Sequence, residues 1–436
     1  LVEKYNVAVP RYTSYPTVPN WQNEIPFTDQ WVKHMLSSYI DHPGISLYIH
    51  LPFCEALCTY CGCNKRITKN HAVEIPYIQA VINEWRIYRS YFQNPPIIKE
   101  IHLGGGTPTF FAPEHLKELI STILDDVEVA DQHAFSFEAH PSSTTEEHLQ
   151  TLYDLGFKRI SVGVQDVSDE ILKAINRHQT IEQVAFVTEM ARKVGYESVN
   201  YDIIYGLPYQ TKGNINQTLD FISEYKPDRI AFYSYAHVPW VSASQRAFTI
   251  ENVPSGMEKN ALYELGKKRL LDLGYETIGM DHFCLPDEEL NIAYQKGKMH
   301  RNFMGYTPNY TKCSIALGTS SISDCWDMYV QNNKTVEDYT QSVNNGMLPI
   351  VKGHVLTDEE AFIRGHILNL MCRDYTEWDV DHPIPEIDFQ ALNEMEVDGL
   401  IEYGNTFIKV LEPGKYCIRN ICSAIDPTYR SQQLES

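Results

Sequence analysis

Short apolar runs and longer amphipathic stretches alternate through the first two thirds of the chain. Ser46–His50, Ile98–Leu103, Ala134–Glu138, Arg159–Val164, Ser198–Ile204 and Arg229–Ser234 are rich in β-branched and aromatic residues and have strand length. Between them, apolar residues recur at helical spacing over about Glu74 to Tyr91, Pro113 to Leu124, Thr145 to Leu155, two further patterns up to Val194, Ile215 to Glu224, and Met257 to Leu273. Pro113 suits a first helical turn, Gly156 closes one helix and Gly274 follows another. The run Gly104-Gly-Gly106 stops the second strand.

Six repeated strand–helix units imply parallel strands joined by right-handed crossovers. An open doubly wound sheet and a full or partial barrel both satisfy that pattern. In either, functional loops follow the carboxyl ends of the strands. The chemistry-bearing residues sit there. A cysteine loop follows the first strand and Gly104-Gly-Gly-Thr-Pro108 the second. Glu138 ends the third, Gln165 follows the fourth, Asp202 lies late in the fifth and Ala236 follows the sixth.

After Leu273 the periodicity weakens. Gly279–Phe283 and Met299–Tyr306 read as loops. Thr357-Asp-Glu-Glu360 is a candidate capping box, Phe389–Leu400 reads as a helix, and Leu400–Ile418 alternates like a small hairpin. A helical C-terminal domain is therefore expected from about residue 350.

Composition narrows the function classes. The 436 residues are 43% hydrophobic and 21% charged, which is globular. No run approaches the roughly 18 apolar residues of a membrane span. The first residues, Leu1–Tyr5, carry no apolar stretch of a secretory signal, and the expectation is a cytoplasmic protein. A net charge of −21 argues against nucleic acid or an anionic membrane as the main partner. Local cations could still hold a small anion. Of ten cysteines, Cys54, Cys58, Cys61 and Cys63 crowd together and the other six are scattered, which fits a reducing compartment and one metal-binding cluster better than a disulfide framework.

Cys54-x3-Cys58-x2-Cys61 is the sharpest signal. Three thiolates on a short loop can each ligate one iron of a cubane cluster, leaving a fourth iron open for catalysis. A structural zinc site usually draws cysteine pairs from separated segments, so zinc is the weaker reading. Cys63 is read as a neighbour that does not ligate.

That loop, preceded by Tyr48-Ile-His-Leu-Pro-Phe53, resembles the radical S-adenosylmethionine superfamily. More closely, the chain resembles the oxygen-independent coproporphyrinogen III oxidases (coproporphyrinogen dehydrogenases) of haem biosynthesis. The resemblance runs through Pro10-Arg-Tyr-Thr-Ser-Tyr-Pro-Thr17, Cys61-Gly-Cys-Asn64, Gly104–Thr109, Gly163-Val-Gln-Asp166, Asn176-Arg177, Asp202–Pro208, Tyr235-Ala-His237, Gly279–Phe283 and His300-Arg-Asn-Phe303. It implies an α/β fold: a partial (β/α)6 TIM-like barrel with an N-terminal lid (1–40), the barrel and its extension (41–350) and a small, mainly helical C-terminal domain (351–436).

The same resemblance implies a [4Fe-4S] cluster on Cys54, Cys58 and Cys61, and two molecules of S-adenosylmethionine. For the first it implies Tyr48, Gly105, Gly106, Thr107 and Glu138, with Ile322 packing near it and His50 near the cluster; Tyr48, His50 and Glu138 are the catalytic candidates. For the second it implies Tyr60, Gln165, Arg177, Asp202 and Ala236. The family's second site usually has a glutamine where this chain has Met304, which makes no amide hydrogen bond.

The implied reaction is oxidative decarboxylation of two propionates of coproporphyrinogen III to vinyl groups, giving protoporphyrinogen IX. A 5′-deoxyadenosyl radical takes a hydrogen atom from the β-carbon, CO2 departs, and an acceptor takes the surplus electron. The expected partners are that substrate and an electron donor such as flavodoxin or ferredoxin, with the enzyme a monomer. Arg11, Arg177 and Arg301 are candidate cations for the carboxylates. Two relatives of different function, a radical S-adenosylmethionine haem chaperone and a haem-degrading methyltransferase, are the alternatives.

Overall fold

The structure is a computed structural model that describes residues 2–5, 7–21, 28–240 and 243–435. Six parallel strands form its centre: β1 (Ile45–Leu51), β2 (Ile97–Gly105), β3 (Glu128–Ala139), β4 (Phe157–Gln165), β5 (Ser198–Tyr205) and β6 (Arg229–Ser234). Helices Glu74–Ser90, Pro113–Leu124, Glu146–Asp154, Ile181–Val194 and Lys212–Tyr225 cross between them. Gly195, left-handed at φ 116°, ends the fourth of these helices in the way the sequence expectation assigned to helix-ending glycines.

The segment expected to be loop-like extends this sheet at both ends. Beyond β6 come β7 (Glu276–Ile278) and β8 (His282–Cys284); beyond β1 come β9 (Cys313–Leu317), β10 (Ile322–Asp324), β11 (Met328–Asn332) and β12 (Ile350–Val355). The order is β12-β11-β10-β9-β1-β2-β3-β4-β5-β6-β8-β7, and β9 is parallel to β1. These added strands are too short, or too completely buried, to show an alternation. All five residues of β11 are buried. The stretch Met299–Tyr306 forms a hairpin, with His300–Asn302 antiparallel to Gly305–Thr307.

The six central strands do not have two apolar faces, as parallel strands buried between helices would. Their outward residues are apolar and almost fully buried: Leu47 and Ile49, Ile101 and Leu103, Phe135 and Phe137, Ile160 and Val162, Val199 and Tyr201. These pack under the helices together with Trp31, Tyr77, Trp85 and Tyr88. Their inward residues are polar. Register sets Tyr48 beside His102, His102 beside Ser136, Glu138 beside Ser161, and Ser161 beside Asn200. The sheet thus curls around a polar interior, as a partial barrel does.

A second apolar core lies outside that sheet. It joins Tyr12 and Tyr15 of the N-terminal segment to Ile278, Met299 and Tyr306 and to the C-terminal helices, through residues such as Ile367, Leu370, Ile421 and Ile425. Helix Asp358–Arg373 begins with the expected capping box: the Thr357 hydroxyl accepts from Glu360 N and the Glu360 carboxylate from Thr357 N. The expected C-terminal hairpin is present (Ile401–Tyr403 with Phe407–Val410), and a third strand, Tyr375–Glu377, joins it. Among the described residues no helix is long and apolar enough to cross a membrane.

Candidate active site

The cysteine loop leaves β1 at the carboxyl rim of the sheet. Phe53–Cys54 pairs with Arg66–Ile67, which folds the loop back on itself. Cys54, Cys58 and Cys61 are half-buried thiols, and Cys63 is exposed. Two elements clamp the loop. On the β2 side, Gly106 N donates to Leu51 O at 2.8 Å, Thr107 N to Phe53 O at 3.0 Å, and the Thr107 hydroxyl to Cys54 Sγ at 3.4 Å. On the β4 side, Thr59 N donates to Ile175 O at 3.0 Å and Asn176 Nδ2 to Leu57 O at 2.8 Å.

Arg177 is the strongest of these ties. It is buried, and its guanidinium donates to Gly163 O, Gln179 Oε1 (2.7 Å), Tyr60 Oη (3.1 Å) and Cys58 Sγ (3.6 Å). On the far side Lys65 Nζ holds the carbonyls of Cys61 and Cys63 at 3.0 and 3.2 Å. Burial pushes the Cys54 thiol up to about 11. Cys61 is driven the other way, chiefly by a hydrogen bond from Cys63, with the Lys65 charge adding. Three soft donors on one loop, with cations at two of them, fit an anionic iron–sulfur cluster. Among the described residues no group of three His, Cys, Asp or Glu converges on a single ion.

Tyr48 and His50 share a face of β1, as strand alternation requires. Tyr48 Oη lies 3.0 Å from His50 Nδ1, and His50 Nε2 lies 2.9 Å from Asn64 O. A carbonyl only accepts, so Nε2 carries the proton and Nδ1 accepts from the tyrosine. Burial lowers the His50 pKa and keeps the ring neutral.

The glycines at the end of β2 and just past it are explained by the chain itself. A Cβ on Gly106 would lie 2.5 Å from the backbone of Pro52, and one on Gly105 (φ 114°) would lie 2.8 Å from the His50 ring. The resemblance implies Gly105 and Gly106 as contacts of the first S-adenosylmethionine; within the chain, what a side chain there would meet first is β1 and the cysteine loop. Glu138 stands beside them: Gly105 N donates to its Oε2 at 3.3 Å, and His102 Nε2 is 3.6 Å from its Oε1.

Below this rim lies a cavity of about 210 Å³, lined on the strands by His102, Ser136, Glu138, Ser161, Asn200 and Asp202. Asp202 accepts from the Ser161 hydroxyl at 2.9 Å and from Asn200 Nδ2 at 3.0 Å. Burial, and then the Glu138 charge, push its carboxyl up to about 6. Tyr233, His282 and Met304 complete the wall. Ion pairs cross its floor, Arg159 with Glu100 and Glu289, and Arg229 with Glu288.

The structure therefore brings Cys54, Cys58, Cys61, Tyr60 and Arg177 into one contact group, and Tyr48, His50, Gly105 and Glu138 into another. Gln165, in the left-handed region at φ 67°, reaches the first group beside Gly163. Ala236 is exposed on the loop after β6. Ile322 packs with Phe303 against Trp21, Tyr329 and Leu356, in a group that holds no other candidate. Sequence reasoning missed Asn64, Lys65, His102, Ser161, Asn200, Tyr233 and His282. The signal that finds the strand residues is the alternation of polar with apolar positions in β2, β3, β4, β5 and β6.

Comparison with known proteins agrees with this picture. The radical SAM superfamily pattern matches residues 48–222. An oxygen-independent coproporphyrinogen III oxidase of Pseudomonas aeruginosa is 36% identical over 436 residues, covering 98% of this chain and 95% of its own. That of Escherichia coli is 35% identical, covering 99% and 95%. A solved structure of coproporphyrinogen III oxidase from Escherichia coli, described as a radical SAM enzyme, superposes with a TM-score of 0.90 at 33% identity, covering 96% of this chain and 97% of that one.

Proposed function

The chain belongs to the oxygen-independent coproporphyrinogen III oxidases of the radical SAM superfamily, and on that premise we propose that it oxidatively decarboxylates two propionates of coproporphyrinogen III to vinyl groups. Membership implies a [4Fe-4S] cluster and S-adenosylmethionine. The observation that carries the reading is the half-buried three-thiol loop clamped at the rim of a polar, salt-bridged chamber. When bound, the cluster and S-adenosylmethionine supply the hydrogen-atom abstraction that starts the reaction.

The chain's own residues orient and enclose. Cys54, Cys58 and Cys61 hold the cluster, with Arg177 and Lys65 offsetting its negative charge. Glu138 and the neighbouring Gly105, Gly106 and Thr107 receive the charged end of one S-adenosylmethionine, a carboxylate facing its ammonium. Tyr48 and neutral His50 pack beside it. Tyr60, Gln165, Asp202 and Ala236 border the place for a second molecule, with Ile322 more remote. The salt-bridged floor limits water entry from below, which a carbon radical requires. No residue needs to act as an ordinary general base. A lid (1–40), barrel (41–350) and C-terminal domain (351–436), a monomeric state, a flavodoxin or ferredoxin donor and a cytoplasmic setting belong to the same reading.

The test is anaerobic. The reconstituted, reduced enzyme with S-adenosylmethionine and coproporphyrinogen III is expected to release 5′-deoxyadenosine and protoporphyrinogen IX. A full cluster with neither product would refute the assignment.

A further inference from the structure

The substrate of this reading carries four carboxylates, and the protein carries a net charge of −21. Favourable binding therefore needs cations gathered in one place. Four are gathered beyond the carboxyl end of β6, each from a different segment. They are Arg11 of the N-terminal segment, Lys259 of helix Gly256–Asp272, Arg301 of the hairpin and Arg419 of the short helix Ile418–Ser423.

Their surroundings give them little to bind. Arg301 is buried, at 7% exposure; its Nη1 donates to Tyr12 O at 2.6 Å, with Arg11 O at 3.5 Å and Met371 Sδ at 3.8 Å, neutral partners all, while its Nε is buried without a partner. Among the described residues Lys259 Nζ reaches only a carbonyl, that of Tyr235. The Arg11 side chain is exposed. Among the described residues Arg419 makes no side-chain hydrogen bond, and none of the four is in an ion pair. Arg11, Arg301 and Lys259 lie close enough to Arg419 for their charges to act on one another. The carboxylate acting most strongly on Arg419 is Asp281, whose Oδ1 is already bonded to His282 Nδ1 at 2.6 Å. Like charges in a half-buried group are costly unless an anion joins them. The group adjoins the chamber through His282 and Tyr306, which line it; the Arg301 guanidinium lies over the Tyr306 ring at 5.5 Å.

We propose that Arg11, Arg301 and Arg419, flanked by Lys259, form the site that holds the propionate carboxylates of the porphyrinogen that are not reacting, so that a remaining propionate points into the chamber. This rests on the coproporphyrinogen reading. It adds Arg419 and Lys259 to the cations expected from sequence, and it leaves Arg177 to the cysteine loop.

The experiment titrates the anaerobic holoenzyme with coproporphyrin III, the fluorescent oxidised tetra-acid, and with its uncharged tetramethyl ester. Arg419→Ala is expected to weaken binding of the acid about tenfold or more and to raise KM for coproporphyrinogen III in step, with ester binding moving less than about twofold. Arg419→Lys is expected to recover most of the loss, and Lys298→Ala, outside the group, to change nothing. If Arg419→Ala loses iron, Arg11→Ala carries the same comparison, since its side chain is exposed. Equal weakening of acid and ester, or none, at wild-type iron content overturns the proposal. If the wild type neither binds the acid nor converts the porphyrinogen, the functional reading falls as well. If the wild type converts it and the arginine variants match the wild type, only this site falls.

Discussion

Single side chains divide into those whose type announces a role and those whose role depends on a neighbour. The cysteines are of the first kind. Cys54→Ser, Cys58→Ser and Cys61→Ser are each expected to abolish the cluster absorbance of the reconstituted protein, and Cys63→Ser to keep most of it. A retained cluster in any of the first three overturns the ligand assignment. Glu84 is of the second kind. It is fully buried and accepts from Gly318 N (2.8 Å), Asn332 Nδ2 (2.7 Å) and Tyr339 Oη (2.6 Å). Burial nevertheless raises its carboxyl from the ordinary 4.5 to about 7. Between those values the native state binds more protons than the unfolded chain, so stability falls as pH rises through the window, by at most about 3 kcal/mol. Thermal melts from pH 4.5 to 7.5 are expected to show this loss in the wild type and not in Glu84→Gln; parallel curves would refute it. Nothing around Glu84 in the sequence, a glutamate in an amphipathic helix, distinguishes it from a solvated one.

At the scale of elements, what was legible follows from periodicity. Helix Pro113–Leu124 and strand β6 have the bounds their patterns predict, because the apolar spacing and the flanking Pro, Gly and polar residues agree. Helix Thr28–Asp41 is absent from the sequence expectation although its apolar residues have helical spacing: Trp31 and Met35 are fully buried, and Val32, Leu36 and Tyr39 pack beside them on the main core. Of the strands after residue 273, the C-terminal hairpin alternates and was expected; β7, β8 and β10 are three residues long and give no alternation to count, β11 is buried throughout, and β9 and β12 do not alternate in burial. The candidate site was legible where a short motif carries it and illegible where it is assembled across strands, as with Ser161 and Asn200 around Asp202. The junction of β2 with the cysteine loop offers a direct test. Gly106→Ala, with its added carbon meeting the Pro52 backbone, is expected to lower iron content severalfold as well as S-adenosylmethionine affinity. Full iron with reduced affinity alone would show that the glycine serves only the ligand.

At the scale of the molecule, the two ends of the chain share one core. Tyr12 Oη donates to Asp426 Oδ2 at 2.9 Å, Tyr329 Oη to Tyr15 O at 3.2 Å, and Tyr429 Oη to Ala8 O at 2.9 Å. Tyr12→Phe removes one buried bond to a carboxylate, a loss of about 1–3 kcal/mol. The expected outcome is faster proteolytic cleavage within the first twenty or so residues and a melting temperature lower by a few degrees. Unchanged cleavage would mean that the remaining contacts suffice. The shared core also has a consequence in time. The acceptor of Tyr12, Asp426, is made 414 positions after it. On the ribosome this tie cannot form until those 414 positions have been made, whereas the cysteine loop and the six central strands are complete by residue 234. Over the intervening synthesis the rim has its thiols but lacks this fastening of the N-terminal segment.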